Sequence, residues 1–341
     1  MNVAVSIQHP AHVHLFRHAI QSLEADGHTV SVYARGKEFI SELLSSYDID
    51  HEVLTPESSS VTDLLRTQLR YEYRLWRRLK PIDPDVVVAV GGLSASHVAT
   101  ALGCRSLVFT DTEHATLQNA LAFPLADRIC TPDCYRDDLG TKQYRYPGYH
   151  ELAYLHPDRF APDPSVFEEL RIEPEDPFVV LRSVSWNAAH DVGAGGFGDL
   201  AAVVDRLEAT GVDVLLTAEG QLPSGLERYR TTVPADRIHD VLAFADLFLG
   251  ESGTMAIESA VLGTPAVVAN SLEGIGVFEE LEEQYELLYH FSDEQRHEAS
   301  VRTALDLLDT EADHWQRNRE RLLADKVDTT DVILDQVLRP H

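Results

Sequence analysis

The chain alternates short apolar runs with amphipathic stretches. Residues 3–7, Val-Ala-Val-Ser-Ile, form an apolar run that His9 and Pro10 end. Over residues 12–26 the side chains of Leu15, Ala19, Ile20 and Leu23 recur at helical spacing, and Gly27 stops the pattern. Residues 29–34 predict a strand, 61–79 a long amphipathic helix, and 85–90 a continuous apolar strand running into Gly91 and Gly92. A helix at 94–102 and strands at 105–110 and 127–131 follow. Apolar runs without polar alternation, separated by helices, indicate a parallel sheet covered on both faces.

Between residues 147 and 177 six prolines fall within 31 positions, which predicts a connection between domains rather than a core element. Beyond it the alternation restarts. Strands are expected at 178–184, 212–217, 247–250 and 265–269, and helices at 200–209, 254–262, 293–308, 313–324 and 329–338. The expected fold class is α/β, with two doubly wound, Rossmann-like domains facing across a cleft. The N-terminal domain spans 1–160 and the C-terminal domain 165–324, with the last helix, 325–341, packing back on the first. Ligands of such sheets bind at the carboxyl ends of the strands.

Charge adds a second constraint. The chain carries 56 acidic against 28 basic residues, a net charge of −28, yet 44% of it is hydrophobic, enough for sizeable cores. Only four residues are lysine (Lys37, Lys80, Lys142, Lys326). Dispersed acid with little lysine is expected of a halophilic protein, because concentrated salt screens self-repulsion. The lack of a basic stripe argues against a nucleic-acid partner. Three cysteines, Cys104, Cys130 and Cys134, predict reduced thiols rather than a zinc site, since no second pair completes one. No apolar run approaches 18 residues, and the first is too short for a signal peptide. A cytoplasmic protein is expected, with room for a peripheral membrane contact.

Four segments could carry chemistry. Ser252, Gly253 and Thr254 end a strand and open a helix, where backbone N–H groups and hydroxyls suit an anion. Glu258 follows inside that helix and could accept hydrogen bonds from a sugar diol; the plain alternative is a capped packing helix with Glu258 solvated. Among His9, His12, His14 and His18, His12 sits where loop becomes helix and is the candidate general base. A capping role is the alternative, and a zinc site through His14 and His18 lacks an adjacent glutamate, so no metal is expected. Asp111 and Glu113 follow a strand and share a side if the chain stays extended, placing them to orient an acceptor or to cap a helix. Arg182 ends another strand and suits phosphate oxygens or a rim salt bridge. Ser183, Ser185, Asn187, His190 and Asp191 follow it, and the glycine-rich stretch 193–198 lacks the spacing of a dinucleotide fingerprint.

Residues 249–265 resemble the nucleotide-binding signature of the GT-B superfamily. They are similar to the N-acetylglucosaminyltransferase of peptidoglycan assembly and to the UDP-N-acetylglucosamine 2-epimerases. The resemblance implies that Ser252, Gly253 and Thr254 hold the diphosphate and that Glu258, five residues before Gly263, holds the ribose. Residues 238–246 resemble the loop and helix preceding that site. Residues 10–13 and 24–30 resemble the transferase's first loop, helix and second strand, although Gln8-His9-Pro10-Ala11 replaces its glycine-rich loop. Residues 89–94, with Gly91 and Gly92, resemble its second glycine loop. Residues 110–114, with Gln118 and Asn119 following, stand where its acceptor-binding segment would be, which puts His114 and Asn119 on the substrate side. Against the epimerase, Gly92 replaces an acidic residue and only Glu113 finds a counterpart.

The whole chain resembles an uncharacterised GT-B family common in archaea, through residues 9–14, 110–114, 147–155 and 182–191. What this implies is a metal-independent glycosyltransferase that takes a UDP-sugar, such as a UDP-N-acetylhexosamine, as substrate and needs no further cofactor. A sugar or lipid-linked acceptor would meet His12, Asp111 and Glu113. The alternatives are an epimerase with Glu113 as proton carrier, and a non-catalytic sugar-nucleotide binder.

Overall fold

The opening apolar run is strand β1 (Asn2–Ile7), and it sits inside a seven-stranded sheet. The structure is a computed structural model that describes residues 1–340 except 37, 56–60, 171, 184–196, 198, 219–221 and 232. It divides into two units, Met1–Arg159 with Lys326–His341, and Phe160–Asp325. After β1 the first unit runs α1 (Pro10–Ala25), β2 (Thr29–Arg35), α2 (Glu38–Ser46), β3 (His51–Thr55), α3 (Val61–Leu79) and β4 (Val86–Val90). It continues through α4 (Leu93–Leu102), β5 (Arg105–Phe109), α5 (Thr116–Ala122), β6 (Arg128–Pro132), β7 (Gln143–Tyr146) and α6 (Leu152–Leu155). The second unit begins with β8 (Phe178–Ser183), α7 (Leu200–Glu208), β9 (Asp213–Ala218), α8 (Ile238–Phe244), β10 (Leu247–Gly250) and α9 (Gly253–Leu262). It ends with β11 (Ala266–Ala269), α10 (Gly276–Glu283), β12 (Leu288–Phe291), α11 (Arg296–Leu307) and α12 (Ala312–Asp325), and α13 (Thr329–Leu338) lies in the first unit.

Both sheets are parallel. The first has the order β3-β2-β1-β4-β5-β6-β7 and the second β12-β11-β10-β8-β9. The winding direction therefore reverses between β1 and β4 in one unit and between β8 and β10 in the other. The interior strands are apolar on both faces, as parallel sheets require: Val86 and Val87, Val179 to Leu181 and Leu247 to Leu249 are all sealed from solvent. Each such side chain contributes roughly 1.5–3 kcal/mol by burial.

Three of the four strands at the sheet margins behave differently, β9 being the exception. β3, β7 and β12 are margin strands with mixed sequences (His-Glu-Val-Leu-Thr, Gln-Tyr-Arg-Tyr, Leu-Tyr-His-Phe), half-buried at several positions, and apolar continuity does not reveal them. The expected connection at 147–177 is also corrected. Tyr149, Leu152, Ala153 and Leu155 are buried in the first unit, so the prolines begin a packed segment and the chain changes unit only after Arg159.

Helix α13 packs on that segment. Thr329 Oγ1 donates to the Tyr149 carbonyl and Thr330 Oγ1 to the Ala153 carbonyl, both at 2.6 Å. Asp328 caps the helix and pairs with Arg159 at 2.5 Å. Arg105 donates to the carbonyls of Gln336, Val337 and Arg339 at its far end. No helix among the described residues is long and apolar enough to cross a membrane. Replacing Thr330 with valine keeps the shape but removes a buried donor, so urea unfolding should show a loss of about 1–3 kcal/mol. An unchanged midpoint would mean that the hydroxyl bond contributes nothing net.

Candidate functional site

In the second unit, the reversal point is built from Arg182 and the start of α9. Gly250 on β10 lies opposite Arg182 on β8, and a side chain there would come within 2.7 Å of Arg182 Cβ. Glycine thus lets the strands close, and the Glu251 N–H donates to the Arg182 carbonyl at 3.2 Å. Ser252 caps α9, its Oγ accepting from the Met255 N–H. Residues 252–255 are half-buried, whereas Ala256 to Leu262 are buried, so solvent reaches α9 only at its N-terminal turn. The N–H groups of that turn have no preceding helical carbonyl and carry the positive end of the dipole. Gly253 is fixed by packing: a side chain there would sit 2.9 Å from the Phe278 ring.

Two buried glutamate–histidine pairs flank this turn. Glu258 is neither solvated nor open at both oxygens: it is 5% exposed, and its Oε1 lies 3.0 Å from Nε2 of the buried His239 on α8. Because an ionised carboxylate only accepts, His239 donates, and the pair ties α8 to α9. Glu251, the residue before the cap, is wholly buried with Oε1 3.5 Å from His297 Nε2. Burial, with Arg296 adding, pushes the His297 ring below its ordinary value despite Glu251. Ser185, Asn187, His190, Asp191 and most of the 193–198 stretch lie outside the described residues. A cavity of about 260 Å3 elsewhere in this unit, beside β9 and Glu169–Leu170, includes none of these side chains.

In the first unit, the helix-start role falls to His9, whose Nδ1 accepts from the Ala11 N–H at 3.2 Å. His12 Nδ1 accepts from the Gln8 N–H at 3.4 Å, so the proton of its neutral ring sits on Nε2. Burial, then repulsion from His9 and His150, pushes His12 down to about 3. That differs from the expected base of near-neutral proton affinity: His12 is neutral at pH 7 but binds a proton weakly. Gly91 and Gly92 both have left-handed backbones, with φ of 65° and 63°. Their open faces are filled by the protein itself, by the Gln118 amide and the Val108 methyls.

Asp111 and Glu113 diverge. Asp111 Oδ2 meets His150 Nδ1 at 2.9 Å, and its Oδ1 accepts from the Thr112 hydroxyl at 2.9 Å. Burial alone would raise this carboxyl, but attraction to His150 and these hydrogen bonds outweigh it and hold it at about 2. Glu113 Oε1 accepts instead from the Arg136 N–H at 3.2 Å. Neither residue caps α5, whose N-cap is Ala115 without a side-chain bond. His114 is exposed, and Asn119 is buried with Nδ2 donating to the Thr112 carbonyl at 3.2 Å, which holds the loop closed.

Sequence reasoning missed three groups around Asp111. His150 Nε2 and the hydroxyls of Tyr135 and Tyr146 are buried with no hydrogen-bond partner among the described residues. Burial raises both phenols, and the negative charge of Asp111 adds to it at each. For His150 the signal is the segment 147–155, whose proline content suggests a connection; Tyr135 and Tyr146 lie before it. His14 and His18 have separate partners. His14 stacks on Tyr154 and lies 3.3 Å from the Tyr47 hydroxyl, whereas His18 Nε2 accepts from Arg17 at 3.2 Å. Burial pushes the Cys104 and Cys130 thiols up to about 11 and about 12.

Burial, then Arg17 and Arg159, pushes His18 down to about 4. The unfolded chain therefore binds protons at His12 and His18 before the folded one does. Their contribution is complete above pH 6.5 and is lost as pH falls towards 4 and 3. Urea unfolding at pH 7, 5.5 and 4.5 should show stability falling, with each ring adding up to about 1.4 kcal/mol per pH unit. Glutamine at both positions should flatten that limb; an equally steep fall in the double variant contradicts the assignment.

The chain is 24% identical over 303 residues to an uncharacterised protein of Methanocaldococcus jannaschii, covering 85% of this chain and 87% of that one. Among solved structures it is similar to a UDP-GlcNAc 2-epimerase from Neisseria meningitidis bound to UDP-GlcNAc. The TM-score is 0.74 at 12% identity, covering 100% of both chains. A spinosyn rhamnosyltransferase complexed with spinosyn aglycone gives 0.67 at 13% identity, covering 99% of this chain and 100% of the other. At these identities the likeness is one of fold, the two-domain α/β GT-B fold that glycosyltransferases and 2-epimerases share. Residues 1–340 match the family described as protein of unknown function (DUF354), and the chain belongs to that family.

Proposed function

We propose that the protein is a metal-independent glycosyltransferase of GT-B type with a UDP-sugar donor, such as a UDP-N-acetylhexosamine. The observation that carries this reading is the solvent-reached first turn of α9, set beside Arg182 where the strand order of its sheet reverses. The N–H groups of Gly253 and Thr254, the hydroxyls of Ser252 and Thr254, and the Arg182 guanidinium would hold the diphosphate. Glu258, oriented by His239, would take the ribose hydroxyls. Helix dipole and guanidinium together stabilise a departing diphosphate, the part a divalent cation plays elsewhere. The first unit would serve the acceptor through His12, Asp111 and Glu113, with His114, Asn119, Gly91 and Gly92 around them. That structures of the same fold hold UDP-GlcNAc or an aglycone supports a sugar-nucleotide donor and a separate acceptor.

Incubation with UDP-N-acetylglucosamine and other UDP-sugars, with and without a panel of sugar and lipid-linked acceptors, tests the reading. A transferase releases UDP on addition of an acceptor. A C2-inverted sugar or proton exchange at C2 would instead make it an epimerase, and nucleotide binding without either would make it a binder.

Two binding measurements test the donor residues. Arg182→Ala should weaken UDP binding about tenfold to a hundredfold, the loss of a charge-assisted hydrogen bond. Glu258→Gln keeps an acceptor for His239, so the fold should survive while UDP affinity drops; unchanged affinity by calorimetry rejects the ribose contact. Salt supplies a third test. A net charge of −28 repels an anionic nucleotide, so UDP affinity should hold or rise from dilute to molar KCl. Steady weakening over that range, with the fold intact, would overturn the proposed adaptation to salt.

A further inference from the structure

We propose that His150 Nε2, rather than His12, takes the proton of the acceptor hydroxyl, and that Asp111 is the residue positioning it; this rests on the transferase reading above. The first argument is the tautomer. Asp111 is ionised and can only accept, so the 2.9 Å contact makes His150 Nδ1 the donor and leaves the lone pair of the neutral ring on Nε2. His12 has the opposite arrangement. A backbone N–H can only donate, so the bond from Gln8 puts the His12 lone pair on Nδ1 and its proton on Nε2. Of these two neighbouring imidazoles, His150 is set to receive a proton at Nε2 and His12 to donate a hydrogen bond there.

The second argument is the unmet polar surface around the pair. Buried polar atoms nearly always have partners. Here His150 Nε2, Tyr135 Oη and Tyr146 Oη are all buried without one among the described residues, and Asp111 acts electrostatically on all three side chains. Phe109 supplies the wall, its ring 6.5 Å from that of His150 and in edge contact with it. One imidazole acceptor and two phenol hydroxyls, Tyr146 facing the charge of Asp111 and Tyr135 those of Glu113, Asp137 and Asp111, are matched to a polyhydroxylated ligand, which offers both donors and acceptors. The segment 147–155 carries His150 and is pinned by α13 through Thr329 and Thr330, so the ring is held by packing as well as by Asp111.

In the step itself, the acceptor O–H bond breaks and its proton passes to His150 Nε2. The acceptor oxygen forms a bond to the anomeric carbon, and the bond from that carbon to the phosphate oxygen breaks. Its electron pair leaves with UDP. Asp111 stays ionised beside the imidazolium, which returns its proton to solvent after the product departs.

The test has two readouts on the full-length chain. Nitrogen NMR of the imidazoles at neutral pH should show His150 Nε2 as the unprotonated, pyridine-type nitrogen and Nδ1 as the protonated one. A protonated Nε2 overturns the proposal. With the UDP-sugar and acceptor pair that supports turnover, His150→Gln should lower kcat about a hundredfold to ten-thousandfold. Its UDP dissociation constant should stay within about twofold of the native value. Asp111→Asn should lower kcat as well and move the ring proton onto Nε2, a tautomer change that loss of a merely structural bond does not give. Should His150→Gln fail to fold, Asp111→Asn and the native nitrogen spectrum decide. Native kcat in His150→Gln overturns the base but leaves the transferase standing. A wild-type chain that releases no UDP with any acceptor removes both.

Discussion

Everything functional in this chain depends on where the strand order of a parallel sheet turns back on itself. The strand order reverses between β1 and β4 and between β8 and β10, and in such sheets the carboxyl ends at the reversal are where ligands bind. Polar groups gather there, some half-buried or exposed and some packed by the protein itself. Arg182, Ser252 and Thr254 come to that place in the second unit, and His9, Gly91 and Gly92 in the first. The glycines belong to this constraint more than to any ligand. Gly250 lets β10 lie against Arg182, Gly253 accepts the Phe278 ring, and Gly91 accepts the Gln118 amide. Close backbone packing is what allows several polar termini to gather in so little space.

The same crowding sets the electrostatics. In a chain with a net charge of −28, carboxylates near an anion site would oppose an anionic ligand. Near α9 two glutamates are buried against imidazoles, Glu251 facing His297 and Glu258 facing His239. Losing the histidine of such a pair would take a hydrogen-bond donor from a buried carboxylate, which is costly. The pairs tie Glu258 to α8 and Glu251 to α11.

How much of this could be read beforehand follows from the range of the interactions involved. The central strands were legible because burial on both faces writes a continuous apolar run, as in β4, β8 and β10. The margin strands β3, β7 and β12 pack on one side only, and their polar residues hide them. The start of α9 was legible because a capping serine leaves a local pattern. The pairs Glu258–His239 and Asp111–His150 were not, because their partners lie on different elements and meet only after folding. Segment 147–155 failed for a related reason. Proline density suggests a linker, yet here Pro147 leads directly into Tyr149, Leu152 and Leu155, all buried.

The histidines of the first unit show how far residue type alone carries an argument. Position at a loop-to-helix junction singled out His12, and chemistry at neutral pH made it a base. Both steps treat imidazole as one kind of group, whereas in a folded chain each ring nitrogen is fixed by what it touches. A donor at Nδ1 makes Nε2 a donor to the ligand; an ionised acceptor at Nδ1 makes Nε2 a base. His12 has the backbone of Gln8 on that nitrogen and His150 has the carboxylate of Asp111, so the two rings are directed to opposite tasks. Burial, then repulsion from His9 and His150, lowers the proton affinity of His12 and leaves that ring neutral. A site with one ring donating and one accepting can hold a hydroxyl and deprotonate it, which two identical imidazoles could not do as well.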